Sequence, residues 1–141
     1  MLAKTKEELR NKLTYWEGYR TVAYTDHLGV PTIGIGHNLR DNPLPPEIVD
    51  AIYDYDVRNA TLVCRDNFSD FETFSPNRQI ALISLAFQLG QRRFQQFQRM
   101  IQAVNAGRWD QAAAEVMDSD AARDPKLKKR FQEYYNLIWN G

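Results

Sequence analysis

Residues 17–37 read EGYRTVAYTDHLGVPTIGIGH: a carboxylate at Glu17, a second at Asp26 beside a turn, and a strand punctuated by glycine. Upstream, Thr5 and Glu8 fit a Thr-x-x-Glu capping box, and Leu9, Leu13 and Trp16 recur at helical spacing, so a helix is expected to run to about Glu17. Gly18 stops it. Glu17 then falls in the last turn, where the negative end of the helix dipole and apolar neighbours such as Trp16 favour a carboxyl that keeps its proton. A helix built only for stability would carry Lys there, although a solvated helix-end Glu is the plainer alternative.

From Arg20 to Thr25 and from Val30 to Gly36 the composition turns to Val, Tyr, Thr and Ile, with Asp26-His27-Leu28-Gly29 between them, which predicts a β-hairpin. Alternation along the second strand puts Thr32, Gly34 and Gly36 on one face and Ile33, Ile35 and His37 on the other. The first face is nearly bare, which suits close approach of a bulky ligand at Gly34, and Thr32 is its only hydroxyl. The second face reads as core, giving His37 a structural role.

The 141-residue chain is long enough for one real core or two small lobes sharing a helix. Its single cysteine, Cys64, cannot form an internal disulfide and is expected to pack as a small hydrophobe, in a reducing compartment. The N-terminal MLAKTKEELRNKL is charged throughout and has no apolar run, so it is expected to be neither a signal peptide nor a membrane anchor. Eighteen basic and eighteen acidic residues balance, but unevenly: residues 1–89 hold nine basic and twelve acidic, residues 90–141 nine and six. The resulting basic bias of the C-terminal part is too weak to indicate a nucleic-acid partner.

Asn42-Pro43-Leu44-Pro45-Pro46 is a stiff connector, and Glu47 opens a helix whose apolar stripe runs through Val49, Ile52, Tyr53, Ala60 and Val63. Asp56 falls on that stripe and wants a partner, for which His37 is the candidate; a half-exposed Asp at the edge of the stripe is the alternative. A loop through Phe68, Phe71 and Phe74 leads to the N-cap Ser75-Pro76 and the nearly all-apolar helix QIALISLAFQL, capped by Gly90 and expected to be buried on every side. Gln88 is its one late polar residue, a candidate to line a cleft or, more ordinarily, to satisfy a helix-end hydrogen bond. Further helices follow through Phe94–Val104, ended by Gly107, through Trp109–Met117, and from Asp124-Pro125 along Leu127, Phe131, Tyr134, Tyr135 and Ile138. Arg92-Arg93 and Lys126-Lys128-Lys129-Arg130 read mainly as solvated faces.

Glu17, Asp26 nine positions on, Thr32 six further, and the tail TIGIGH resemble the Glu-x8-Asp-x5-Thr signature of the phage-type lysozymes, and FQLG at 87–90 and GRWDQAA at 107–113 extend the resemblance along essentially the whole chain. The resemblance implies a mainly helical α+β fold in one lysozyme domain, with a hairpin lobe at about 14–46, a linking helix at about 47–65, and a helical lobe at about 66–141 joined by the N-terminal helix. It implies cleavage of the β-1,4 bond between N-acetylmuramic acid and N-acetylglucosamine in peptidoglycan, with no cofactor and no metal. By position, Glu17 would be the general acid, Asp26 would hold or activate water, and Thr32 would help place it; Gly34, on the bare strand face, and Gln88, as a candidate to line the cleft, are the expected substrate contacts on the reading of the residues themselves. Larger relatives carry near this point an Arg thought to pair with the catalytic Glu; here the segment reads Lys126-Leu127-Lys128, leaving Lys128 or Arg130 to serve.

A glycosidic oxygen leaves only when protonated, so one carboxyl must hold a proton while another stays ionised across the sugar. Glu17 suits the first role and Asp26, beside a solvated turn, the second. A lytic transglycosylase, which uses a single Glu and no water, and an inactive wall-binding module are the rival readings. For a phage endolysin the expected setting is the host cytoplasm until lysis, then the periplasm and wall. The chain would act as a monomer and reach the wall with a membrane-permeabilising holin.

Overall fold

The first helix, α1, spans Ala3–Glu17 and ends where Gly18 adopts φ 84°, its N–H donating back to Thr14 O. The start differs from the expected capping box: α1 begins two residues before Thr5, with Leu2 at the N-cap and no side-chain cap. Ala3 and Lys4 are good helix formers and extend the helix past the residue that was to cap it. The computed structural model describes residues Met1–Gly141. No helix in it is long and apolar enough to cross a membrane.

Three strands follow, β1 (Arg20–Thr25), β2 (Pro31–Gly34) and β3 (His37–Asn38), in an antiparallel sheet of order β1-β2-β3. The second strand of the expected hairpin is therefore two strands. Gly34 and Gly36 both take φ 68°, and this left-handed pair reverses the chain so that His37 lies opposite Ile33 and Asn38 opposite Thr32. His37 still shares a face with Ile33, as expected, but across a turn. Thr32 faces Tyr24 on β1 and Asn38 on β3, so its face is not bare.

Helix α2 (Pro46–Asn67) carries the predicted stripe, of which only the C-terminal part, Ala60 and Val63, is buried, together with Cys64; Val49, Ile52 and Tyr53 are exposed. Cys64 packs in the core as expected, and burial pushes its thiol up to about 12. A 3₁₀ turn at Phe71–Thr73 precedes α3 (Pro76–Phe94), which Ser75 caps by accepting from Arg78 N at 3.3 Å. Gly90 breaks α3 at φ 75°. The expected all-round burial holds for Ala81, Leu82, Leu85 and Ala86, whereas Ile80 and Phe87 are exposed.

The remaining helices are α4 (Gln98–Asn105), α5 (Trp109–Met117), α6 (Asp120–Arg123) and α7 (Lys128–Asn140). α4 begins later than expected because Phe94 ends α3 and the chain turns before Gln98. α7 begins at Lys128 because Asp124 first closes a turn: its side chain accepts from Lys126 N and its carbonyl from Leu127 N and Lys128 N. The chain divides into two units, Met1–Asp50 and Ala51–Gly141. In the second, Phe68, Phe94, Leu82, Leu85, Met100, Val116, Phe131 and Ile138 form the centre of the core. Burying each such large side chain contributes about 1.5–3 kcal/mol. Phe68 meets Phe94 edge-on at 6.0 Å, and Phe74 meets Trp109 at 4.9 Å, the favoured arrangement for aromatic pairs.

Candidate functional site

The first unit contains five of the candidate residues, Glu17, Asp26, Thr32, Gly34 and His37. Asp26 follows β1, and its Oδ1 accepts two backbone N–H groups, from Leu28 and from Val30, both at 2.8 Å. Gly29 N–H donates to Asp26 O, and Asp26 N–H to Val30 O, which closes the loop on both sides of the carboxylate. The Val30 amide, opposed by some loss of hydration and aided by the Leu28 amide and the charges of His27 and Arg40, holds the Asp26 carboxyl below its ordinary range. Both backbone donors fall on Oδ1, leaving Oδ2 to turn to another donor.

Thr32 is only 4% exposed, the one polar residue buried in the protein. Its hydroxyl donates to Val30 O at 2.9 Å, so the hydroxyl hydrogen is committed and the oxygen presents lone pairs alone. Val30 is thus a common anchor: its N–H holds Asp26 and its carbonyl holds Thr32. Arg40 fixes the same loop from the far side, donating from Nη2 to Gly29 O at 2.7 Å.

Glu17 is the exposed last residue of α1, and no basic residue shares its last turn. The turn between β2 and β3 packs on it: a Cβ built on Gly36 would lie 2.9 Å from Glu17 Oε2 and 3.1 Å from Glu17 Cβ and Cγ. At Gly34, by contrast, a Cβ would meet nothing within 4 Å, which leaves the backbone there open to close approach, as its sequence position suggested. Sequence reasoning put Gly36 on a strand face with Thr32 and missed its contact with Glu17; the signal was the second Gly of the pair, which marks a reversal rather than a bare strand. Val30 and Arg40 were missed as well. An Asp followed two and four residues on by free backbone amides is the signal for the first; nothing in the sequence marks the second.

His37 lies in β3, half-buried, with Nε2 buried and without a hydrogen-bond partner. Asp56, in the second unit, is half-buried on α2 and lines a hollow of about 520 Å³ with Asn59, Asp66, Phe87 and Gln91. Gln88 does not satisfy a helix end: its Oε1 accepts from Tyr134 OH at 3.0 Å, tying α3 to α7. A second hollow, of about 650 Å³, lies among Arg93, Phe97, Arg99, Glu115 and Asp118. Arg93 therefore borders a hollow, while Lys126, Lys128, Lys129 and Arg130 are solvated as expected.

Arranged this way, the first unit can hold a carboxylate ionised and offer a second acceptor, the Thr32 oxygen, anchored on the same residue, Val30, with another carboxyl at a helix end. That is the equipment of acid and base chemistry on a polar substrate. Comparison with curated proteins gives no match. The model of the phage lysozyme family, however, matches residues 14–132, a span that contains Glu17, Asp26 and Thr32 and most of the helical unit. The chain belongs to the phage lysozyme family, a membership that carries a lysozyme role with peptidoglycan as the substrate.

Proposed function

We propose that the protein hydrolyses the β-1,4 bond between N-acetylmuramic acid and N-acetylglucosamine with inversion at the anomeric carbon, and that it serves to lyse a bacterial host. Glu17 is the general acid that protonates the leaving oxygen, and Asp26 is the base that receives a proton from water. The observation that carries this reading is the pairing of acceptors around Val30. A nucleophilic water must attack with a lone pair, so both its hydrogens have to be donated elsewhere. Asp26 Oδ2 takes one. Thr32 Oγ1, its own hydrogen committed to Val30 O, takes the other. If Asp26 bonded the sugar directly, the Thr32 oxygen would have no such part.

Water attack inverts the centre, so the β-linked glycan gives an α-configured product first, whereas a covalent glycosyl intermediate on Asp26 would give the β product. Gly34, open on its Cβ side, lets the glycan approach the sheet, and Gln88 supports the helical unit through Tyr134. Action on the wall from inside a host calls for a holin to open the membrane; the enzyme itself works as a monomer in the periplasm once released.

Digestion of purified peptidoglycan tests the reaction. Mass spectrometry should find reducing rather than anhydro ends, NMR should find the α anomer first, and Glu17→Gln should retain the fold while losing nearly all activity. Anhydro ends would point to a lytic transglycosylase. Full activity of Glu17→Gln would remove that residue from the acid role, and a folded wild type that binds but never cuts would make the protein a wall-binding module.

A further inference from the structure

We propose that Gly36 is a positioning residue for Glu17, holding its carboxyl in the orientation the reaction needs by leaving room for a hydrogen and nothing larger. The inference rests on Glu17 being the general acid and adds what keeps it in place. Glu17 is exposed at the end of α1, where a Glu side chain otherwise has several rotamers open to it. The Gly36 α-carbon closes one side of that space. Its missing Cβ position lies 2.9 Å from Oε2 and 3.1 Å from both Cβ and Cγ of Glu17. Oε2 can swing away from an added methyl, but only by turning the carboxyl out of the orientation in which it faces Gly36. Cβ and Cγ cannot swing far, because they hang from the helix backbone, so the rest of the crowding falls on the α1 end or on the turn.

Two demands therefore coincide at Gly36. Its φ of 68° favours glycine, and so does its contact with Glu17. Gly107 separates them. It has φ 70°, a Cβ there would meet nothing within 4 Å, and it lies between α4 and α5 in the other unit. Gly107→Ala thus carries the backbone strain without the crowding.

The test measures kcat and KM on purified peptidoglycan, with kcat expressed per folded molecule from a thermal melt taken in the same buffer. Gly36→Ala is expected to lower kcat about 100-fold with KM within about threefold, since displacement of a reacting group by about 1 Å has that effect. Gly107→Ala should lower the melting temperature through the backbone strain alone and leave both constants unchanged. Should Gly36→Ala fail to fold, Gly36→Asn decides, because Asn tolerates the left-handed backbone while placing the same Cβ against Glu17. Retention of kcat within about fivefold by either folded variant would overturn the inference. An inactive Glu17→Gln beside an active Gly36→Ala would sink this inference alone, whereas an active Glu17→Gln would sink the acid role beneath it.

Discussion

Asp26 shows how much chemistry one residue can take from its local turn. Two amides on Oδ1 favour the charged form, and the group needs no ion pair to stay ionised. Its folded-state affinity for protons is depressed, so its contribution to stability is present above the unfolded value of about 3.9 and is lost as pH falls through the lower folded value. Asp26→Asn keeps an oxygen for both amides. It should fold, lower the melting temperature slightly at neutral pH, and converge on the parent below about pH 4, where the parent loses its own advantage. Activity should fall by about 10²–10⁴, the usual range for loss of a positioned base; near-parental lysis by this variant would rule out Asp26 as the base. The position of the Asp26 turn was legible because Asp26-His27-Leu28-Gly29 separates two β-rich runs, whereas the part of the Val30 amide in it was missed. The contact of Gly36 with Glu17 was not legible, because it joins residues nineteen apart through the path of the sheet, and alternation alone cannot foresee a reversal inside a run such as TIGIG.

Among the elements, those with strong punctuation were read closest to where they lie. α5 spans Trp109–Met117 as expected, set off by Gly107 at φ 70°, and Ser75-Pro76 opens α3 with the predicted cap. α6, only Asp120–Arg123, has no room for a hydrophobic period; its signal was local, Ser119 Oγ accepting from Ala122 N. The join of α3 to α7 was illegible for a different reason. Arg78 donates from Nε to Ile138 O at 3.0 Å and stacks its guanidinium 4.1 Å from the centre of the Trp109 ring, so one side chain caps the end of α7 and covers α5. Burial works against its charge, which the two carbonyls of α7 and the ring offset. Arg78→Ala should cost about 2 kcal/mol, a charged hydrogen bond and a half-exposed cation–π contact combined. Arg78→Lys should recover less than half, because an ammonium cannot bond and stack in one plane. Urea titration of the three proteins measures this, and an Ala variant within about 0.5 kcal/mol of the parent would show the cap to be idle.

For the whole molecule, the resemblance pointed correctly to a mainly helical α+β protein, and the helical stripes and the short run rich in β-branched residues agreed with it. The stripe residues Phe131, Tyr134 and Ile138 of α7 and Met100, Ile101 and Val104 of α4 all reached the core. Charge, unlike burial, is a property of the whole chain from the start. Eighteen basic and eighteen acidic residues cancel, so at distances beyond the molecule the anionic wall meets almost no net field. Screening then has little to remove. The Debye length shrinks from about 30 Å at 0.01 M salt to about 10 Å at 0.1 M, which strongly slows encounter only where long-range attraction was driving it. We expect kcat/KM on peptidoglycan to change by less than about threefold across that range. Glu7→Lys with Glu133→Lys, two exposed positions far from Asp26 in sequence, raises the net charge by about four and should speed the reaction at low salt while making it fall more steeply as salt is added. A tenfold loss for the parent over the same range would mean that a local basic patch, not the overall balance, governs capture of the wall.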